Sequence, residues 1–263
     1  MPEIVANGLR LYYQVEGQGP AVLLLHPVGL DLTCWSGQVE ALAPEFRVLR
    51  VDLRGHGRSE VPPPPYSLED FADDVHLLLR ALDLGPVHAV GLSLGGMVAQ
   101  LLALDHPEDV RSLVLADTNC TLPPEGRQTM TGRAEAAEQG GMQAVVQSTL
   151  ERWFTAEFLG SSVVARCRQR LLADSVTGWA ATWRALSRLN TEPRLGEVRV
   201  PALVITGERD VSATPAQARR MAELIPGAAF HIIPGAPHMA PLQCPELFNA
   251  RLLGFLHSLE PAR

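Results

Sequence analysis

Short, continuous apolar runs alternate along the chain with longer stretches in which apolar residues recur every three or four positions. Residues 4–6 and 9–15 flank Asn7-Gly8, which predicts an antiparallel hairpin closed by a tight turn and ended by Gly17, Gly19 and Pro20. The run 21–25 is apolar throughout, as expected of a strand buried on both faces. Residues 47–51, 87–91, 111–116, 202–206 and 229–233 also read as strands. The intervening stretches read as helices. One covers 36–43 and is stopped by Pro44. After the stiff run of prolines at 62–65, Ser67 and Asp70 form a capping-box-like pair. The helix they open carries Leu68, Phe71, Ala72, Val75, Leu78, Leu79 and Leu82 on one face and ends at Gly85-Pro86. An alanine-rich helical pattern follows Ser93, Thr214-Pro215 opens a further helix, and Pro245 starts the last.

Strand-like runs disappear between 121 and 194. Helical patterns at 125–139, 142–154, 163–173 and 178–189 replace them, punctuated by Gly140-Gly141 and Gly160. The expected organisation is therefore a core made of residues 1–120 and 195–263, interrupted by a helical insertion at 121–194. Alternating strands and helices in the core imply an α/β fold, a mostly parallel central sheet flanked by helices. Such sheets bind ligands at the carboxyl ends of their strands. Val28, Asp52, Ser93, Asp117, Asp210 and His238 all fall just after predicted strands, so they can converge despite their separation in sequence.

Composition narrows the class. Of 263 residues, 46% are hydrophobic, which fits a globular protein with a sizeable core. Acidic residues outnumber basic ones by 29 to 22, and the net charge of −7 argues against a nucleic-acid surface and against anionic membranes. Residues 1–19 hold no signal-peptide core, and no stretch reaches the roughly 18 apolar residues of a membrane span, so a soluble cytoplasmic protein is expected. Cys34, Cys120, Cys167 and Cys244 lie far apart and read as thiols in a reducing compartment. The eight histidines show no metal-ligand spacing, and no metal is expected. Whether the chain forms a homo-oligomer is open at this level.

The chemistry is carried by Gly91-Leu92-Ser93-Leu94-Gly95, a G-x-S-x-G set between a predicted strand and a predicted helix. A serine hydroxyl is a weak nucleophile and must project from a sharp turn to meet a base and a substrate. The N–H of Leu94, at the helix N-terminus, is placed to stabilise a developing oxyanion. Val28 is the expected second donor, because Pro27 has no N–H and Gly29 supplies flexibility. The base should be His238, after the last strand, given the chain order nucleophile, acid, histidine. The same order favours Asp210 as the orienting acid, with Asp117 as its competitor. His26 is expected to brace the turn that follows its strand, and His88 to be packed within one.

With these residues assembled, the chain resembles the α/β-hydrolase superfamily over nearly its whole length. The resemblance rests on His26-Pro27-Val28-Gly29, Asp52 with Arg54-Gly55-His56-Gly57-Arg58-Ser59, the Ser93 motif, Gly207-Glu208-Arg209-Asp210, and His238. Within that superfamily it is most similar to 3-oxoadipate enol-lactonases and their esterase relatives. That closer similarity lies in Asp31-Leu32-Thr33-Cys34-Trp35, Phe46-Arg47-Val48-Leu49-Arg50, Pro65-Tyr66-Ser67-Leu68 and Glu151-Arg152-Trp153-Phe154-Thr155. Entering the oxyanion loop, His26-Pro27 replaces the His-Gly or Asn-Ser pair common among relatives, and the insertion matches less well around 179–190.

The resemblance implies an α/β-hydrolase fold whose insertion forms a helical cap over the site. It implies no cofactor, and two-step hydrolysis of a small-molecule carboxylic ester or lactone through Ser93, His238 and Asp210. Trp153, Trp179 and Trp183 would then supply an apolar or aromatic substrate wall. A carboxylate on an enol-lactone would need a cation, for which Arg133, Arg152, Arg184 and Arg188 are available. Two other readings stand beside this one. The same three residues serve carbon–carbon bond hydrolysis or perhydrolysis, and the same scaffold serves non-catalytic ligand receptors.

Overall fold

Eight strands form one sheet in the computed structural model, which describes residues 2–259. In spatial order they are β1 (Glu3–Ala6), β2 (Leu9–Glu16), β4 (Arg47–Val51), β3 (Ala21–Leu25), β5 (Val87–Leu92), β6 (Val110–Ala116), β7 (Ala202–Gly207) and β8 (Ala229–Ile233). β2 runs antiparallel to β1 and β4, and every pairing from β4 through β8 is parallel. The hairpin turn has Asn7 and Gly8 in left-handed backbone (φ 53° and 70°), the geometry that matches strand twist across two residues. The apolar runs become the interior of the sheet: every residue of β5 and β7 is buried.

Helices pack on both faces. α1 spans Ser36–Leu42, α2 Leu68–Ala81 and α3 Leu94–Asp105. α2 opens on a reciprocal cap, in which Asp70 N donates to Ser67 Oγ (3.1 Å) and Ser67 N donates to Asp70 Oδ2 (2.7 Å). Its apolar face is buried as its periodicity requires, except Leu82, which caps the helix end and is only partly covered. That face also contains a buried carboxylate that periodicity does not reveal. Asp74 accepts two bonds from Arg54 (2.6 and 2.7 Å) and one from Asn7 (3.0 Å), tying the helix to the hairpin and to the loop after β4.

Four helices, α4 (Pro124–Gly140), α5 (Gln143–Trp153), α6 (Ser162–Leu172) and α7 (Val176–Leu186), lie between β6 and β7. A lone antiparallel bridge between Thr121 and Asn190 closes their neck, beside a bond from Thr191 N to Cys120 O (2.8 Å). α7 meets the core at Gly178, where a Cβ would lie 2.4 Å from Gly55 O. Met239 N donates to Trp153 O (3.1 Å), joining α5 to the loop that carries His238. The chain closes with α8 (Pro215–Leu224), the short α9 (Ala240–Gln243), which the pattern did not predict, and α10 (Pro245–Leu259). No helix among the described residues is long and apolar enough to cross a membrane.

One contact between the inserted helices and the core has a pH signature. Arg170 of α6 pairs with Asp31 in the loop after β3 (3.4 Å) and with Asp174. Burial pushes the Asp174 carboxyl up to about 7 against the pull of Arg170. Because the folded value lies above the unfolded one, the associated stability is fully present below about pH 4 and is lost as pH rises through about 7. Asp174→Asn keeps an acceptor for Arg170 but removes the titration. Thermal or urea melts at pH 5 and pH 8 should therefore show a stability loss smaller than wild type by about 1 to 3 kcal/mol.

Candidate active site

Ser93 sits at the apex of a sharp turn between β5 and α3 with φ 54° and ψ −111°, a conformation an L-residue adopts only when its surroundings impose it. The flanking glycines explain how. A Cβ on Gly91 would lie 2.1 Å from Gly95 O, and one on Gly95 would lie 2.0 Å from Leu25 O. Two glycines thus let the β5–α3 turn close on itself and let α3 lie directly on β3. Ser93 N donates to Ala116 O (3.0 Å) and Thr118 Oγ1 donates to Ser93 O (2.7 Å), which ties the turn to β6.

The residues expected from sequence meet here. His238 Nδ1 lies 2.9 Å from Asp210 Oδ2, and His238 Nε2 lies 3.1 Å from Ser93 Oγ. A carboxylate at Nδ1 fixes the proton there, so Nε2 presents its lone pair to the serine hydroxyl. Asp210 Oδ1 accepts from Ser212 N (2.7 Å) and Ala213 N (2.9 Å). Burial pushes the Asp210 carboxyl upward, but the His238 charge and the bonds from His238, Ala213 and Ser212 outweigh it and hold the carboxyl below its ordinary value. Asp117, the competing acid, does not reach His238. Its Oδ1 accepts from Gly207 N at 2.7 Å.

The N–H groups of Val28 and Leu94 have no protein acceptor among the described residues, and Val28 lines the cavity above Ser93. The loop carrying Val28 is braced from behind. His26 Nδ1–H donates to Pro27 O (2.8 Å) and Nε2 accepts from Leu53 N (2.9 Å), as expected of a turn-bracing ring. Asp52 accepts from Leu32 N and Arg58 N (both 2.8 Å). Within β5, His88 is packed and bonds Ser112 Oγ (2.8 Å).

The cavity above Ser93 has a volume of about 250 Å³ and is walled by α4, α5 and α7. Trp153 and Trp183 line it. Trp179 does not, and its expected place in the wall is corrected. It is 1% exposed, stands edge-on to Trp183 (centroids 5.5 Å apart) and fills the space over Gly29, where a Cβ would be 2.6 Å from its ring. Residues 179 and 183 lie four apart on α7 and share a face, so periodicity alone could not separate the lining tryptophan from the packing one.

The four candidate arginines also divide. Arg184 is paired with Glu138 on the surface (2.6 and 2.7 Å), and Arg188 lies outside the cavity. Arg133 and Arg152 line the cavity, and among the described residues neither has a carboxylate partner. The Arg133 guanidinium lies over the Trp183 ring (4.9 Å), and burial together with neighbouring Arg152 pushes its pKa down to about 10. Arg152 donates to Ser212 Oγ (3.2 Å). Two crowded, partly dehydrated cations without an anion favour a ligand that brings one. The sequence reading missed Met97 and Met130 in the lining. Their spacing was a usable signal, since Met97 is four residues after Ser93 and Met130 three before Arg133 on α4.

Among the described residues, one group offers three potential metal ligands within 4.8 Å of one another: His76, His106 and Glu108. The two imidazoles stack face to face (4.0 Å, 9° between planes), with Asp109 on His76 Nδ1 (2.6 Å) and Asp73 on His106 Nε2 (2.9 Å). An ion binds along an in-plane lone pair, and near-parallel stacked rings share no in-plane point, so this arrangement does not preform a metal centre.

The profile of the alpha/beta hydrolase fold family matches residues 20–245. The 3-oxoadipate enol-lactonase 1 of Acinetobacter baylyi is 30% identical over 258 residues, covering 97% of this chain and 96% of that protein. The crystal structure of an enol-lactonase from Burkholderia xenovorans superposes with a TM-score of 0.93 at 34% identity, covering 97% of this chain and all of that one. A thermophilic esterase from Thermogutta terrifontis, solved with malate bound, superposes with a TM-score of 0.93 at 30% identity, covering 99% of each chain.

Proposed function

This chain belongs to the α/β-hydrolase family, and on that premise we propose that it is a serine hydrolase of small carboxylated esters or lactones, with an enol-lactone as the favoured class. The observation that carries this reading is the opening of the Ser93–His238–Asp210 relay into a cavity that also holds Arg133 and Arg152 without acidic partners.

The geometry performs hydrolysis in two steps. His238 Nε2 takes the Ser93 proton as Oγ attacks the substrate carbonyl, and the carbonyl π pair moves onto oxygen. The N–H groups of Val28 and Leu94 receive that oxyanion. The carbonyl re-forms, the ester C–O bond breaks, and His238 returns its proton to the leaving oxygen, which in a lactone stays tethered to the acyl group. An enol oxygen leaves readily because the product ketonises. Water, deprotonated by His238, then attacks the acyl-enzyme, Ser93 Oγ departs with the proton, and the free acid is released. Asp210 stabilises the imidazolium in both steps. Arg133 and Arg152 hold the remote carboxylate and so fix the carbonyl over Ser93, while helices 121–194 act as a cap whose Trp153 and Trp183 exclude bulk water.

Steady-state hydrolysis of neutral p-nitrophenyl esters, plain lactones and the enol-lactone of 3-oxoadipate tests this directly. The carboxylated enol-lactone should show the highest kcat/KM. Arg133→Met and Arg152→Met should each raise its KM by about 10- to 100-fold while leaving neutral esters within about threefold, because only the carboxylate uses the charge. If neutral esters are the better substrates and both arginine variants leave the ranking unchanged, the chain is a general esterase. Ligand retention without turnover, equal in wild type and Ser93→Ala, would instead assign a receptor.

A further inference from the structure

His238 follows β8, which closes one edge of the sheet and has only Ile233 buried. The loop beyond that strand must be held by other contacts. Ahead of His238 they come from the loop after β7: Gly235 N donates to Glu208 Oε2 (2.8 Å) and Arg209 N donates to Ala236 O (2.8 Å). Beyond His238, Gln38 Nε2 of α1 donates to Pro241 O (3.0 Å). Three more bonds come from the inserted helices. Met239 N donates to Trp153 O (3.1 Å), Thr155 N to Gln243 Oε1 (3.1 Å) and Gln243 Nε2 to Thr155 Oγ1 (2.7 Å).

The last two bonds are reciprocal and fix the amide. Oε1 faces an N–H and Nε2 faces a hydroxyl oxygen, so a flipped side chain would set N–H against N–H. Thr155 is 6% exposed and follows Trp153 and Phe154, both buried, so water is not at hand to replace Gln243. Gln243 N donates in turn to Met239 O (3.0 Å), which passes the position of Gln243 to the residue beside His238. The same stretch of chain reaches the Asp210 loop. Arg152 donates to Ser212 Oγ (3.2 Å), the N–H of Ser212 holds Asp210 Oδ1 (2.7 Å), and Glu157 pairs with Arg209 (2.7 Å). Residues 152–157 thus bond to both loops that bring carboxylate and imidazole together. Neither Thr155 nor Gln243 lines the cavity over Ser93, so neither is placed to touch a substrate.

We propose, on the reading of His238 as the base, that Thr155 and Gln243 are positioning residues for it: residues 152–157 form a strut that seats the imidazole between Asp210 and Ser93. The ring needs both contacts at once, at 2.9 and 3.1 Å. A displacement of about half an ångström would take one of them out of hydrogen-bonding range. The pair therefore acts on rate and not on affinity. Proton transfer depends steeply on that alignment, whereas the substrate is gripped by other side chains.

Three variants and two readouts test this. Gln243→Met removes both bonds, Thr155→Val removes only the one to the hydroxyl, and Thr155→Ser keeps both. Gln38 still holds α9 in each, so the loop is expected to stay folded. The expected fall in kcat is about tenfold in Gln243→Met and about threefold in Thr155→Val, recovered in Thr155→Ser, with KM within about twofold throughout. The factor should be the same on a neutral p-nitrophenyl ester and on the carboxylated enol-lactone. The second readout is the Nδ1 proton of His238, which a buried carboxylate draws far downfield in the proton NMR spectrum and which His238→Gln identifies by its absence. It should exchange with water faster in Gln243→Met and at the wild-type rate in Thr155→Ser. A lower melting temperature in Gln243→Met, with kcat and the Nδ1 proton unchanged, would reduce the pair to a structural role and overturn the proposal. A rise in KM at unchanged kcat, or a change on one substrate only, would overturn it by placing the pair in binding. The NMR arm needs no turnover, so it tests the strut even if Ser93→Ala proves fully active and the catalytic reading fails.

Discussion

Ser93→Ala is expected to lower kcat by about four orders of magnitude or more on any ester or lactone the wild type hydrolyses, with substrate affinity retained. The residual rate would come from the Val28 and Leu94 N–H groups and from substrate positioning, which the substitution leaves in place. Ser93→Gly should be equally inactive but more stable than wild type, by about 1 kcal/mol, because Ser93 holds φ 54° and ψ −111° in a region that glycine tolerates. Single-turnover kinetics and urea melts on the two variants separate the contributions. Activity within tenfold of wild type in Ser93→Ala would sink the nucleophile assignment. A Ser93→Gly variant no more stable than Ser93→Ala would show that the turn stores no strain.

The second large effect concerns folding. Gly95→Ala should cost about 3 to 5 kcal/mol and yield little soluble protein. The added Cβ would sit 2.0 Å from Leu25 O and 2.8 Å from Leu25 Cβ, and neither can retreat because β3 is clamped between β4 and β5. α3 must then lift away from the sheet, taking the Leu94 N–H with it. Gly132→Ala is the matched control, since nothing lies within 4 Å of a Cβ built there, in the exposed middle of α4. It should stabilise the protein by about 0.5 to 1 kcal/mol, through helix propensity alone. Urea denaturation of both proteins measures the contrast. A Gly95→Ala protein that folds with wild-type stability would contradict the close approach of helix and strand.

Both effects trace to five consecutive residues, and the same five made the site legible in advance. A G-x-S-x-G between an apolar run and a helical pattern encodes its own local structure. The turn is too tight for side chains at Gly91 and Gly95, and the helix that follows is fixed by its own periodicity. The strands at 21–25, 47–51 and 202–206, the capping box at Ser67, the helix start at Thr214-Pro215, and the hairpin at Asn7-Gly8 were readable for the same reason. Each depends on neighbours within about four positions. Alternation of strand and helix then forces a parallel sheet. Parallel order alone carries Ser93, Asp210 and His238 to one edge, and their chain order favoured Asp210, which lies 2.9 Å from His238, over Asp117.

Other features depended on which side chains face one another across elements, and spacing along the chain does not contain that. Trp179 and Trp183 occupy equivalent positions on one helix face, yet only the crossing of α7 over Gly29 decides that one packs and the other lines the cavity. Arg133, Arg152, Arg184 and Arg188 look alike in sequence. Glu138, five residues after Arg133 on α4, neutralises Arg184 and leaves Arg133 and Arg152 to the cavity. Asp74 reads as a polar interruption of an apolar stripe until Arg54 and Asn7 arrive from the loop and hairpin to satisfy it. Asp117 and Asp210 both follow strands, and only the third dimension shows that Asp210 meets the imidazole while Asp117 accepts from Gly207 N. Local periodicity and turn chemistry therefore determined the elements and the order of the candidate residues along the sheet edge. Burial, charge pairing and contact between distant residues, which arise only when elements stack, decided the shape of the cavity and the charges within it.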